Sequence, residues 1–505
     1  MNISCIKQTV LSTLAILVCL VTVVTAQAQE SPVYSEKTVS LGSTEGADRF
    51  FPGSIATNAE DVRHLAFLIK KEGNFHVVVD DEIGPPCDAV AKGTPVFNSS
   101  GSRYAYIAYK GEKCRVISDG EAQPWYDGID RLTFSPDGKR IVYRAQEGKR
   151  RQVLVEDGKP VKAYEFIKDR PVFSPDSKHL AFMGVNKKKV SVVLDGNVIL
   201  KDYRNAKEIR FSPDSEHLAV AVKEKKLWKI ARDGKISDTG YRFIQSLTFS
   251  PDSSRFAYAA QAGKKLLLVV DGKETKPFKT VGPPVFSPDS ERLAFAAQTG
   301  DEWQVVLDGQ TGPEFKKVAS LKFSPDSSRF AFSGITKKNK GAVILNNQTV
   351  NVYDSAGQAV FSPDSKHLAY RVRKGKKWCV MMDGEKGKAY DGVRRPTFSP
   401  DSKTMAYPAA LDKKMFMVVN QETQQNYEKV LMPWFSKDGA HVGYKAKKDG
   451  KWLLVVDGKE CKKRFDKIFE DFPLVFGKDG CHVLAANTDE NEEGMNFYRY
   501  EVRFK

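Results

Sequence analysis

The chain has 505 residues, of which 41% are hydrophobic, and it carries a formal net charge of +16. This length exceeds that of one ordinary compact domain and allows a large buried core. Five of the seven cysteines lie beyond residue 28. An odd and sparse set of this kind excludes a disulfide framework, and only Cys461 and Cys481 are candidates for a bridge. The charge favours anionic partners, although a solvated basic surface is its commoner meaning.

The N-terminal segment has the pattern of a secretory signal peptide. One lysine precedes an almost wholly apolar stretch at residues 9–25, and Ala26-Gln27-Ala28 follows. This order predicts a signal peptide over residues 1–28, cleaved after Ala28, and a periplasmic or secreted protein. An uncleaved membrane anchor is the alternative. No later stretch is apolar and long enough to span a bilayer, so we expect no transmembrane segment in the mature chain.

A short repeat then fills the remaining sequence. The tetrapeptide Phe-Ser-Pro-Asp occurs eight times, beginning at Phe134, Phe173, Phe211, Phe249, Phe286, Phe323, Phe361 and Phe398. Degenerate copies begin at Phe97, Phe435 and Phe476, and a twelfth is recognisable at Asn58, with Asp61 in the same frame. Successive copies lie 37 to 41 residues apart, which leaves no gap for another domain.

Each position of the repeat has a structural role. The Phe ends a short strand, and Ser-Pro-Asp forms a tight turn because proline presets φ and aspartate accepts backbone N–H groups. A second strand, a lysine-rich hairpin and a third strand follow, and Asp-Gly or Asn then predicts a two-residue hairpin. The fourth strand carries an aromatic residue 29 or 30 positions after the Phe, as at Tyr126, Tyr164 and Phe278.

Four short antiparallel strands in about 40 residues are typical of a β-propeller blade. The segments FSPDSKHLAF and VVLDG resemble the WD40-like (PD40) repeats of the TolB type. This resemblance implies an all-β propeller in a bacterial envelope setting. The even spacing of the twelve four-stranded repeats does not discriminate between one ring and two. Because the families that the chain resembles build rings of about six blades, the resemblance favours two tandem six-bladed rings, over 29–277 and 278–505, and one large twelve-bladed ring is the alternative. The last repeat lacks an outer strand, which residues 33–41 or 48–51 could supply.

Histidines and tryptophans recur at fixed positions of the repeat. Six residues after the Phe, six copies carry histidine (His64, His179, His217, His367, His441 and His482) and five carry arginine. Because arginine is a poor metal ligand, we favour a structural contact to a turn aspartate over a cationic ring that histidine protonation would switch. For Trp228, Trp303, Trp378 and Trp452, which share another position, packing is favoured over stacking on sugars.

Lysines concentrate in the hairpins between the second and third strands. In an up-and-down blade these hairpins emerge on one face, and the Ser-Pro-Asp and Asp-Gly turns emerge on the opposite face. The sequence therefore predicts a lysine-fringed face that attracts anionic partners, although lysine is also an ordinary solvated turn residue. The candidate binding residues are Lys188, Lys265, Lys338, Lys377, Lys414 and Lys448.

Catalytic signatures are missing from the sequence. It contains no Gly-x-Ser-x-Gly elbow, His-Glu-x-x-His motif or phosphate-binding glycine loop, and we assign no catalytic, metal or cofactor residue and expect no cofactor. The leading hypothesis is a non-enzymatic binding or scaffolding propeller that engages a protein or an anionic envelope polymer, and not a specific nucleic acid, through a ring face. The alternative is a hydrolase or lyase that acts on a polyanionic polysaccharide or peptide in a central channel.

Overall fold

The computed structural model describes residues 34–58, 63–488 and 494–504, and the expected signal peptide and Asp61 lie outside these residues. Over the described ranges the protein is all-β, and none of its segments is a helix that could cross a membrane. Twelve antiparallel sheets follow one another along the chain. We number these sheets as blades 1 to 12 and letter the strands of each blade from a, the inner strand, to d, the outer strand.

Each blade pairs its strands in the order a-b-c-d, and in six blades strand a is divided into two short pieces. The strands of blades 1 to 4 are Arg49–Thr57, Leu65–Lys71, Asn74–Val79 and Glu82–Ile83; Ala89–Val90 with Val96–Phe97, Tyr104–Lys110, Lys113–Ser118 and Glu121–Ala122; Gly128–Phe134, Ile141–Gln146, Gln152–Glu156 and Lys159–Tyr164; Phe166–Phe173, Leu180–Asn186, Lys189–Leu194 and Asn197–Tyr203. Those of blades 5 to 8 are Asn205–Phe211, Leu218–Glu224, Leu227–Arg232 and Lys235–Ile236; Ile244–Phe249, Phe256–Ala262, Lys265–Val270 and Lys273–Glu274; Thr280–Val281 with Val285–Phe286, Leu293–Thr299, Glu302–Leu307 and Gln310–Thr311; Lys317–Phe323, Phe330–Ile335, Gly341–Leu345 and Gln348–Tyr353. Those of blades 9 to 12 are Ser355–Ala356 with Val360–Phe361, Leu368–Lys374, Lys377–Met382 and Glu385–Lys386; Gly392–Val393 with Thr397–Phe398, Met405–Leu411, Lys414–Val419 and Glu422–Thr423; Lys429–Val430 with Trp434–Phe435, Val442–Lys448, Lys451–Val456 and Lys459–Glu460; Lys467–Ile468 with Val475–Phe476, Gly480–Thr488, Met495–Arg503 and, as strand d, the N-terminal Ser35–Ser43.

The Ser-Pro-Asp turn connects strands a and b through side-chain hydrogen bonds. In blade 8 the Ser324 hydroxyl donates to Asp326 at 2.5 Å and accepts the N–H of Arg329 at 2.9 Å. Hydrogen bonds from the Ser324 and Ser328 hydroxyls lower the pKa of Asp326 to about 2, because they stabilise the carboxylate form. The predicted turn role of these aspartates is confirmed.

Aromatic residues join each blade to the next. At nine junctions the aromatic residue of the fourth-strand position, which ends strand d or follows it, packs against an aromatic residue of the next blade. Tyr126 and Tyr143 have ring centroids 6.2 Å apart, and Phe315 and Phe332 have centroids 5.8 Å apart. These buried contacts supply the interblade core that a single blade cannot form alone.

The twelve blades form a ring, and the N-terminal strand completes its last blade. Residues 35–43 pair antiparallel with the C-terminal strand, with Ser35 opposite Arg503. Segment 33–41 was therefore the right closing candidate where the structure describes it, whereas 48–51 belongs to blade 1. With this strand in place, strand c of blade 12 is paired on both sides.

The contacts between blades run without a break around this ring. Phe278, at the proposed boundary of two six-bladed rings, is 4% exposed and packs with Leu268 of blade 6 and Phe295 of blade 7. Phe497 of blade 12 lies 4.8 Å from Phe67 of blade 1, between ring centroids. These contacts join blade 6 to blade 7 and blade 12 to blade 1.

Two local expectations need correction. Cys461 and Cys481 are free thiols, both buried in the same hydrophobic cluster. His482 does not share the position of the other histidines, because Phe476 pairs with Cys481, five residues later, whereas Phe361 pairs with Leu368, seven residues later. The turn of blade 12 is two residues shorter, so counting from the Phe placed His482 out of register.

Candidate functional site: the lysine face

The antiparallel order of each blade sorts its connections between two faces. The a–b and c–d turns lie on one face, and the b–c hairpins lie on the other together with the links that lead to the next blade. We call the second face the lysine face. The sequence placed the lysine hairpins opposite the Ser-Pro-Asp and Asp-Gly turns, and this strand order confirms that arrangement.

The six candidate lysines all lie in or beside b–c hairpins, one in each of six blades. Two of them form ion pairs: Lys377 Nζ lies 2.6 Å from Asp391 Oδ1, and Lys448 Nζ lies 2.9 Å from Glu460 Oε1. The other four, Lys188, Lys265, Lys338 and Lys414, are exposed and have no carboxylate partner within the described residues.

The pair Lys377–Asp391 belongs to a carboxylate position of the repeat that the sequence analysis missed. In eight blades, the residue directly after the interblade aromatic position is acidic. These residues are Asp48, Asp88, Asp127, Glu165, Asp354, Asp391, Glu428 and Asp466. Each accepts a backbone N–H from the b–c hairpin of the blade that it opens, as Asp88 does from Gly111 at 2.6 Å.

At four of these junctions the link carboxylate also binds a lysine of the preceding blade. Lys113 at the start of strand c in blade 2 lies 2.5 Å from Asp127, as Lys377 does from Asp391. The hydrogen bond from Lys377 and the N–H of Asp412 lower the pKa of Asp391. At these junctions the hairpin lysine is therefore neutralised within the protein.

In four consecutive blades, the link position carries a basic residue instead of an acidic one. The link positions that open blades 5, 6, 7 and 8 carry Arg204, Arg242, Lys279 and Lys316. Lys279 pairs with Asp301 at 2.9 Å, whereas the other three have no carboxylate partner among the described residues. The repeat thus replaces its neutralising acid with a cation over one third of the ring.

Together with the adjacent hairpins, these positions form an exposed basic surface. We define the basic sector as Lys188, Lys189, Arg204, Lys225, Lys226, Arg242, Lys264, Lys265, Lys316 and Lys338. Three nearby carboxylates, Glu224, Asp301 and Glu314, pair with the lysines Lys229, Lys279 and Lys337, which lie outside this set. Comparing the residue that follows each repeat aromatic would have revealed the sector from sequence.

The opposite face contains the histidines and arginines of the repeat in structural contacts. His179 Nδ1 lies 2.7 Å from Asp195 Oδ2, and Arg255 Nε donates to Asp271 Oδ2 at 3.0 Å. The Arg255 guanidinium also lies 5.2 Å from the Phe286 ring of the next blade. These contacts to the hairpin aspartate support the structural role predicted for this position.

Three of the third-strand tryptophans, Trp228, Trp378 and Trp452, have a cation over the ring. Trp228 and Trp452 are each 7% exposed, and the Lys207 ammonium lies 4.8 Å from the Trp228 ring centroid. A sugar has no access to a ring face that is covered in this way, which favours the packing role. In the part of the chain that the structure describes, no cluster of three or more histidine, cysteine or acidic side chains could hold a metal.

Comparisons with known proteins report fold similarity only. No family model matches the sequence, and no curated protein matches it. Among solved structures, TolB from Acinetobacter baumannii is similar with 16% identity and a TM-score of 0.24, over 51% of this chain and 77% of that chain. The dihydro-heme d1 dehydrogenase NirN, solved in complex with DHE, is similar with 14% identity and a TM-score of 0.27, over 56% of this chain and 72% of that one.

Proposed function

We propose that this protein is a non-enzymatic binding or scaffolding propeller of the bacterial envelope or secreted space, and that the basic sector binds an anionic partner. The observation that carries the proposal is the replacement of the link carboxylate by Arg204, Arg242, Lys279 and Lys316 in four consecutive blades. A solvated lysine fringe alone does not account for it, because the other eight blades keep the acid.

The repulsion between neighbouring cations in the basic sector is an argument for a bound anionic ligand. Lys189, at the start of strand c in blade 4, and Arg204, at the link that opens blade 5, occupy the two positions that form the ion pair Lys377–Asp391 in blades 9 and 10. Two like charges at such positions repel one another, and an anion bound between blades removes the repulsion. A one-signed surface of this kind also steers anionic partners and raises their association rate.

The class of partner is an acidic protein surface or an anionic envelope polymer. Ten exposed cations from four blades, spread between blade 4 and blade 8, match an extended partner better than a compact one, because each exposed contact contributes little and many must act together. Export through the signal peptide predicted over residues 1–28 places the protein where such polymers occur.

Charge reversal in the sector tests the proposal. The triple variant Arg204→Glu, Arg242→Glu and Lys265→Glu is compared with the control Lys110→Glu, Lys376→Glu and Lys413→Glu, which makes the same change of net charge on the same face outside the sector. Retention on a heparin column and the dissociation constant for heparin, titrated at low salt, are measured. We expect the sector variant to bind about tenfold or more weakly and with a smaller salt dependence, and the control to change little.

Two results would overturn the proposal. Equal loss in both variants means that net charge alone governs retention and that the sector is not a site. Shortening of the polysaccharide by the purified protein means that the protein is an enzyme, and the binding function fails in its non-enzymatic form.

A further inference from the structure

A cavity of about 420 Å³ opens on the inner strands of blades 8, 9 and 10. Three cations contribute to its lining, Lys317 from blade 8, Arg371 from blade 9 and Arg395 from blade 10. No carboxylate is among the described residues that line it. A space of this size suits a small molecule, and the single sign of its charged residues selects an anion.

In blade 3, the arginine at the equivalent position is paired with a carboxylate of the protein itself. Arg371 lies on strand b at the position that Arg144 occupies in blade 3. There, Arg144 is paired across the strands with Asp130, and its Nε donates to Asp130 Oδ1 at 2.6 Å while a second guanidinium N–H binds the other oxygen. Its third contact is to the Ile167 carbonyl of blade 4, at 2.5 Å.

A third cation at this position also has acids nearby. Lys445 of blade 11 is 1% exposed and donates to the Phe469 carbonyl at 2.7 Å, and Glu470 and Asp471 of blade 12 lie close enough to act on its charge. Two of the three cations at this position are thus balanced by carboxylates of the protein.

Arg371 has no such acid, because glycine stands where its carboxylate would be. The backbone N–H of Gly357 donates to the Arg371 carbonyl at 2.8 Å, which places Gly357 opposite Arg371 as Asp130 is opposite Arg144. A Cβ at Gly357 would lie 2.7 Å from Arg371 Cγ and 2.9 Å from Nε. The Arg371 side chain therefore lies over Gly357, in the space that a side chain at this position would need, and its charge has no carboxylate opposite it.

The Arg371 guanidinium is held in place before any ligand arrives. Its Nη1 donates to the Val393 carbonyl of blade 10 at 3.0 Å, and its carbon lies 5.2 Å from the Trp378 ring centroid. Arg395 lies two residues beyond Val393 and is exposed. A fixed guanidinium binds an oxyanion with less loss of side-chain entropy than a mobile one.

We propose that this cavity binds a small molecule through an oxyanion group, which takes the place of the missing aspartate carboxylate between Arg371 and Arg395. A carboxylate fits the fork geometry that Arg144 and Asp130 display, and phosphate presents the same oxygen pattern. Lys317 supplies a third positive charge, and Gln358, also in the lining, can bind a polar group of the rest of the ligand. This site does not depend on the basic sector of the lysine face.

Calorimetric titration of the intact protein with galacturonate and, separately, with inorganic phosphate tests the site. We compare Arg395→Ser with Arg394→Ser, the neighbouring exposed arginine that does not line the cavity. A second variant, Gly357→Asp, places a carboxylate where Asp130 lies in blade 3. We expect Arg395→Ser to weaken binding by about ten- to a hundredfold, Gly357→Asp to abolish it, and Arg394→Ser to leave it nearly unchanged.

The two probes distinguish a carboxylate ligand from a phosphate ligand, because the probe with the lower dissociation constant carries the group that the site prefers. Saturable binding of either probe that is lost in Arg395→Ser and Gly357→Asp supports the proposal. Absence of binding by both probes, or equal weakening by Arg394→Ser and Arg395→Ser, would overturn it. Circular dichroism checks that each variant is folded. The triple variant Arg204→Glu, Arg242→Glu and Lys265→Glu of the basic sector must keep its affinity for the probe, because the two sites are separate.

Discussion

The backbone N–H of Asp252 in blade 6 donates a hydrogen bond of 3.0 Å to the hydroxyl of Ser290 in blade 7. One junction earlier, Asp214 of blade 5 donates to Ser253 of blade 6, also at 3.0 Å. The junction at which a second ring would begin is therefore joined in the same way as its neighbour, and both serines are buried. A test of ring continuity follows from this equivalence.

Ser290→Ala and Ser253→Ala are expected to lower the free energy of unfolding by the same amount, about 1 kcal/mol each, since each removes the acceptor of one partly buried hydrogen bond. The two sites are matched in backbone as well, with φ of 68° and 66°. Urea denaturation of both variants measures the effect. A cost for Ser253→Ala with none for Ser290→Ala would show that blades 6 and 7 are not joined in solution.

The N-terminal strand is expected to contribute strongly to stability. Leu41 is 5% exposed and packs in the cluster that joins blade 12 to blade 1. Leu41→Ala should lower the free energy of unfolding by about 2–3 kcal/mol, because it removes buried methyl groups and leaves a cavity. Lys37→Ala, at an exposed position of the same strand, is the control in urea denaturation, and equal effects would contradict strand closure.

Lys445 gives the protein a specific pH dependence. Burial lowers the pKa of its ammonium to about 8, below the value near 10.4 of an unfolded chain. Between these pH values the unfolded state binds more protons, so the contribution of Lys445 makes stability rise with pH and is constant below pH 8. The difference in free energy of unfolding between the native protein and Lys445→Met, measured from pH 7 to pH 10, isolates this contribution. A difference that does not change with pH would contradict it.

The thiols should resist modification in the folded protein. All five cysteines of the described residues are buried and unbridged, and burial raises the pKa of Cys461 to about 12. Because only the thiolate reacts, we expect slow reaction with a chromogenic disulfide reagent under native conditions and, for protein prepared without residues 1–28, five thiols in denaturant. A count of three in denaturant would reveal a Cys461–Cys481 bridge.

Much of the fold follows from local sequence. Ser-Pro-Asp and Asp-Gly specify their turns through φ preferences and side-chain hydrogen bonds, and eight intact copies fix the phase of the repeat. The lysine face follows from the same pattern, because antiparallel strands must alternate their connections. His482 could not be placed in this way, since a turn two residues shorter in blade 12 changes the pairing register without changing the motif.

The binding sites depend on residues that the motif does not mark. The position after each aromatic looks like ordinary linker in sequence, yet in the structure it meets the lysine of the preceding blade, as Asp127 meets Lys113. Gly357 likewise has no signal until it is seen opposite Arg371. Charge balance across two blades is a property of neighbours in space, and it appears only when the register is known.

The sequence by itself determined the repeat, its strands and turns, the number of blades and the sorting of charge between two faces, because turn chemistry and strand alternation act over a few residues. Only the tertiary structure decided how the ring closes, which lysines are neutralised and where a cationic cavity remains. Those outcomes depend on contacts between residues far apart in the sequence, such as the pairing of Ser35 with Arg503, and these are beyond the reach of any local pattern.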